Sequence, residues 1–142
     1  MAKLNSSILA IARCNTQFRA ERMAQFGLKG CHISYILHIC GCPGISQDKL
    51  AQRIYINKSN VARQAAFLEE EGFITRIPSA TDKRVLELYP TEKATSLLPE
   101  IHAILQDWNQ MLTGDLSDEE MEVVMRVLLK MQDKAGTWMN DH

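Results

Sequence analysis

The sequence predicts a mainly α-helical domain carrying one small β-hairpin. Three observations lead there. Two short amphipathic helices stand close together between Ser46 and Gly72, the apolar period drops to two just after Gly72, and helical spacing returns from Thr91 onward. A chain of 142 residues is of one-domain length and can bury a real core. We read residues 1–142 as a single domain. No apolar run is long enough to span a bilayer. The start, "MAKLNSSILAIARCNTQF", lacks the long apolar stretch and small-residue cleavage site of a signal peptide, so it reads as structure. A cytoplasmic protein without a membrane partner is expected.

Leu4, Ile8, Ile11, Phe18 and Met23 recur at roughly helical spacing, and Gly27 ends that first helix. A second helix, about Gly30 to Ile39, carries Ile33, Ile36 and Leu37 until "GCPGIS" breaks it. Ser46 is placed to cap "QDKLAQRI", where Leu50, Ala51 and Ile54 share a face. After the tight "YIN" connection, Asn57 is placed to cap "KSNVARQAAFLEEEG", whose Val61, Ala65 and Leu68 form a buried stripe. Gly72 follows where a left-handed residue is wanted. Helix, tight turn, helix is the outline of a helix-turn-helix.

"FITRI" and "RVLELY" alternate as two short strands around a polar tip, a hairpin. Thr91 is placed to cap a long helix reaching about Leu112, which Pro99 should bend. Ser117 and Glu120 form a capping box for a last helix to about Lys134, with Met121, Val124, Leu128 and Met131 apolar. The terminal helices are long and not needed to complete the small core, and spare apolar faces of that sort meet a partner subunit.

The net charge of -1 hides an asymmetry. Residues 1–48 carry 5 Lys/Arg against 2 Asp/Glu, residues 49–84 carry 7 against 4, and residues 85–142 carry 4 against 11. A basic body with an acidic tail hints at a polyanionic partner. Cys14, Cys31, Cys40 and Cys42 read as reduced thiols in a chain with no export signal.

The stretch "GISQDKLAQRIYINKSNVARQAAFLEEEGFITRIPSATDKRVLELYPTEKA" resembles the MarR family of bacterial transcription regulators. Gly27-Leu28 and the closing "LSDEEMEVVMRVLLKM" fit the same pattern, so the likeness covers roughly residues 5–135. Its specific part is an order: Val61 and Arg63 on one helix, then Leu68, Gly72, and a hairpin with Asp82 and Arg84 before "TEK". The resemblance implies a homodimeric winged helix-turn-helix. Residues 28–93 would be the DNA-binding lobe, and 1–27 and 94–142 would supply the dimerisation helices. The hairpin would be a wing, with Arg84 at the minor groove and Asp82 holding its guanidinium. Ala66 and Phe67 depart from the family, which usually has polar or charged residues there.

On the recognition helix, Ser59, Asn60, Arg63 and Gln64 lie opposite the apolar stripe, where Asn and Gln can pair with adenine and Arg with guanine. Lys58 and the helix N-terminus suit phosphate contacts, which position without specifying. On the hairpin, Lys83, Arg84 and Arg76 are the candidate DNA contacts. The expected partners are double-stranded DNA, a second copy of the chain and a small aromatic or lipophilic effector. The resemblance would put that effector between the dimer helices and the lobe, near Arg13, Phe18, His32, Tyr35 and His38. A redox switch is the rival reading: the resemblance implies that an oxidant-sensing thiolate can lie near the first helices, Cys14 and Cys31 sit in the matching region, and Cys14 has Arg13 beside it. A cation beside a thiol favours the thiolate.

A metal centre is not expected. Glu21, Cys31, His38 and His102 have no tight ligand spacing, and Cys40-x-Cys42 is not a usual zinc pair. Nor is a cofactor or an enzyme expected. The chain has no phosphate-cradling glycine loop, zinc-protease helix or nucleophile elbow. A winged helix used for protein binding would show an apolar or acidic recognition face. Asn60, Arg63, Gln64, Lys83 and Arg84 argue against one.

Overall fold

The computed structural model describes residues 2–142, beginning with helix α1, Ala2–Met23. A short 3-10 turn, Ala24–Phe26, leads to Gly27, which takes the left-handed φ of 71° and ends the segment. Helix α2 spans His32–Gly41, starting two residues later and ending two residues beyond the expected helix. Strand β1, Ile45–Ser46, runs directly into helix α3, Gln47–Ile54. Helix α4, Lys58–Glu70, follows, then strands β2, Ile74–Pro78, and β3, Leu86–Pro90. Helices α5, Glu92–Thr113, and α6, Asp118–Asn140, complete the chain.

Local hydrogen bonds explain most boundaries. Ser46 Oγ accepts the Lys49 amide at 3.1 Å, and Asn57 Oδ1 accepts the Asn60 amide at 2.8 Å, so α3 and α4 both open on side-chain caps. Tyr55 closes α3 in the left-handed region, φ 58°, and the Ile56 amide reaches back to the Ala51 carbonyl at 3.1 Å. For a residue with a Cβ that conformation costs about 1–2 kcal/mol, which the sharp α3–α4 turn requires. Gly72, φ 83°, releases the chain from α4, and the Phe73 amide satisfies the Leu68 carbonyl at 2.9 Å. Ser117 and Glu120 make the expected capping box.

Thr91 works differently from the expected cap. It occupies the position before α5 with extended backbone, but its hydroxyl donates to the Gly72 and Phe73 carbonyls at 2.6 and 3.0 Å. It therefore ties the end of the wing to the end of α4. The last helix also outruns its expected end, Lys134, by six residues.

The sheet is antiparallel in the order β1-β3-β2, with Ile45 opposite Leu88 and Arg76 opposite the same residue on the other side. Leu88 is fully buried and faces the core. That core joins Ile33, Ile36 and Ile39 of α2, Leu50 of α3, Val61, Ala65 and Leu68 of α4, Ile74 of β2, and Leu97, Ile101 and Ile104 of α5. The expected stripe on α4 is thus the buried one.

On the terminal helices many apolar residues lack cover. Leu4, Ile8 and Ile11 of α1 are exposed, and so are Val123, Val124, Val127 and Leu128 of α6. Among the described residues Gly136 is the one buried residue of α6. A Cβ there would lie 2.9 Å from the Tyr55 hydroxyl, so a glycine lets the helix end rest against the α3–α4 turn. No described helix is long and apolar enough to cross a membrane.

Candidate nucleic-acid interface

Helix α4 turns Val61, Ala65 and Leu68 into the core and leaves its other side to solvent. Lys58, Ser59 and Arg63 are exposed there, in the first turns. Ser59 Oγ donates to Asn57 Oδ1 at 2.9 Å, which fixes its rotamer beside the cap. Lys58 faces Asp48 of α3 at 3.5 Å, but both side chains are well exposed, so the pair is weak and the cation remains available. The helix N-terminus adds unpaired amides and the positive end of its dipole.

Asn60 and Gln64 are half-buried and linked. Gln64 Nε2 lies 3.4 Å from Asn60 Oδ1, and Gln64 Oε1 is 2.8 Å from His32 Nε2. Gln64 therefore points its oxygen inward, away from where a free base-reading amide would be expected. Phe67 stacks on the same His32 ring, centroids 5.1 Å apart and planes at 11°, so this apolar departure from the family covers a buried imidazole.

At the wing, a seven-residue connection joins β2 to β3. Its neck is closed by the Ser79 amide on the Val85 carbonyl at 2.8 Å. Asp82 and Arg84 pair with each other near the tip. Arg84 Nε and Nη2 donate to the two Asp82 carboxylate oxygens at 3.1 and 3.3 Å, and the Arg84 amide donates to Oδ1 at 3.1 Å. The Arg84 guanidinium holds the Asp82 carboxyl below its ordinary value. Arg84 is itself 91% exposed, and Lys83 is exposed beside it.

Arg76 is engaged elsewhere. Its backbone amide and Nε donate to the Glu69 carboxylate at 2.9 and 3.2 Å, and Nη1 reaches Gln47 Oε1 at 3.4 Å. With its side chain mostly covered, Arg76 fastens β2 to α4 and α3 instead of presenting a free cation. Glu69 was not singled out from the sequence, where it is one acid in "EEE"; only the fold distinguishes it from Glu70 and Glu71.

The residues expected around an effector sit in different surroundings. Arg13 is exposed on α1, whereas Phe18 packs on Trp108 of α5 with centroids 5.3 Å apart. His32 and Tyr35 are buried neighbours, 6.2 Å between ring centroids. His38 Nδ1 bonds the Ser34 carbonyl of its own helix at 2.8 Å and lines a shallow 290 Å³ concavity with Leu37 and Arg53. A separate cavity of about 370 Å³ lies between the α3–α4 turn and the end of α6, walled by Tyr55, Ile56, Trp138 and Met139.

Cys14 and Cys31 are both exposed, though the Cys31 thiol is partly covered, and that partial desolvation raises its pKa despite Lys29 nearby. Among the described residues no three His, Cys, Asp or Glu side chains converge on a metal-sized site.

A sequence model of the MarR family matches residues 36–86, from α2 through the wing. The "Uncharacterized HTH-type transcriptional regulator YybA" of Bacillus subtilis (strain 168) is 30% identical over 98 residues, 69% of this chain and 65% of that protein. The chain thus spans just under two thirds of that relative's length. The crystal structure of the transcriptional regulator SlyA is similar with a TM-score of 0.92 at 28% identity, covering 96% of both chains. A MarR family transcriptional regulator from Listeria monocytogenes, complexed with 26mer DNA, has a TM-score of 0.90 at 24% identity over 94% of this chain and 89% of that one. That last likeness speaks for the fold alone. Helix-turn-helix, three-stranded wing, family match and relatives agree: residues 36–86 match the MarR family, and the whole fold is that of the MarR and SlyA regulators.

Proposed function

We propose that the chain is a sequence-specific, double-stranded-DNA-binding transcription regulator. It acts as a homodimeric repressor that a small aromatic or lipophilic effector releases. The observation that carries the DNA reading is the pairing of two exposed basic elements on one lobe: Lys58, Ser59 and Arg63 at the start of α4, and Lys83 with the Asp82-held Arg84 on the wing. A helix of this kind enters the major groove by its N-terminal residues, and phosphate contacts from its flanks fix the register. The Listeria relative seen with 26mer DNA supports the same use of the fold.

The uncovered apolar faces of α1 and α6 support a two-fold partner. A dimer of that kind reads two half-sites about 10 bp apart. The 370 Å³ cavity beside the α3–α4 turn supports the effector, being within the size range of small-ligand pockets.

The test is selection from random duplex DNA at near-physiological salt with thiols reduced. Enrichment of one inverted repeat is expected. Retention that is salt-sensitive but enriches no motif would refute sequence-specific regulation.

A further inference from the structure

A chain of hydrogen bonds enters α4 from its buried side, and its polarity is set at one end. The Lys29 backbone amide, which can only donate, reaches His32 Nδ1 at 2.9 Å. Nδ1 must accept, so the proton of the neutral ring lies on Nε2. Nε2 then donates to Gln64 Oε1 at 2.8 Å. With its oxygen held inward, Gln64 turns its NH₂ group toward Asn60 Oδ1 at 3.4 Å. His32 has no exposed surface, and its stacking on Phe67 fixes the ring plane.

An amide that reads adenine must accept from N6 and donate to N7. On α4 the Gln64 oxygen is occupied by His32 and the Asn60 oxygen is engaged by Gln64, so what remains outward is N–H. We propose that His32 is a positioning residue that makes Gln64 and Asn60 donors toward DNA. They would then select acceptor-rich edges, guanine or thymine, over adenine. This inference rests on the DNA-binding reading above.

Two measurements test it. Nitrogen-15 NMR of the DNA-free protein reads the tautomer, and a His32 proton on Nε2 with Nδ1 bare is expected; the reverse overturns the relay. Duplex selection is then run with the wild type, His32→Phe and Gln64→Leu. The wild type should disfavour adenine about tenfold at one position of each half-site, the scale of one good base contact. Gln64→Leu, a change at a half-exposed position, should erase that preference and so identify the position. His32→Phe keeps the ring stack and should bring adenine within about threefold, leaving the salt dependence of binding unchanged because no phosphate contact is lost. A wild-type motif with adenine at the position that Gln64→Leu erases overturns the inference. So does a folded His32→Phe protein with wild-type discrimination, and in both cases the DNA reading stands. No enriched duplex for the wild type overturns both together.

Discussion

Arg84→Ala separates DNA contact from folding. The side chain is 91% exposed, so its removal uncovers almost nothing and thermal unfolding should stay where it was. Two of its donors are held by Asp82 at 3.1 and 3.3 Å. A guanidinium has five N–H donors, so three remain to reach DNA without breaking that pair. Losing one such groove contact costs about 1–3 kcal/mol, roughly a 5- to 150-fold rise in Kd. The assay is fluorescence anisotropy against the selected duplex across a salt series. Arg84→Lys keeps the charge but loses the fork, so it should fall between wild type and alanine. Because the pairing holds Asp82 below its ordinary pKa, the pair stays charged from neutral to mildly acid pH. The Arg84 contribution should therefore not titrate between pH 8 and pH 5. An unchanged Kd for a folded Arg84→Ala protein at moderate salt refutes the placement of the wing on DNA.

Other outcomes follow from the same geometry. Burial holds the His32 imidazole below its ordinary 6.5. On acidification the unfolded chain takes up that proton first, so stability is full above about pH 6.5 and falls as pH drops through it. The urea midpoint should decline toward pH 5 in the wild type and decline less in His32→Phe. Leu68→Ala empties a fully buried site on α4 and should cost about 2–5 kcal/mol in chemical denaturation. Glu69→Ala frees Arg76 from a partly exposed bridge and should cost about 1 kcal/mol, with a wing that exchanges amide hydrogens faster. Leu128→Asp places a charge on the uncovered face of α6 and should convert a dimer to monomer in sedimentation; an unchanged dimer would remove that face from the interface.

Features closed by neighbouring residues were legible in the sequence. The Ser46, Asn57 and Ser117 caps reach only three residues ahead, and Val61, Ala65 and Leu68 show their shared face by spacing alone. Strand β1 was not legible, because two residues carry no period and its reason to exist is Leu88, forty-three positions on. The inward turn of Gln64 depends on His32, thirty-two residues earlier, and the role of Arg76 depends on which of three acids meets it. Thr91 has the identity of a cap, yet two carbonyls from the α4–β2 junction compete successfully for its hydroxyl.

Helix α5 has a mechanical meaning. It is held in the lobe through Ala94, Leu97, Ile101 and Ile104, and Pro99, which lacks an amide, sits inside that held section. Nine residues, Leu105–Thr113, extend beyond the last buried contact, an overhang of about 14 Å. The overhang is not free: Trp108 packs on Phe18 and Asp107 pairs with Arg22 at 2.8 Å, both on α1. A tilt of α5 must therefore carry α1 with it, so the two helices form one lever seated on the lobe.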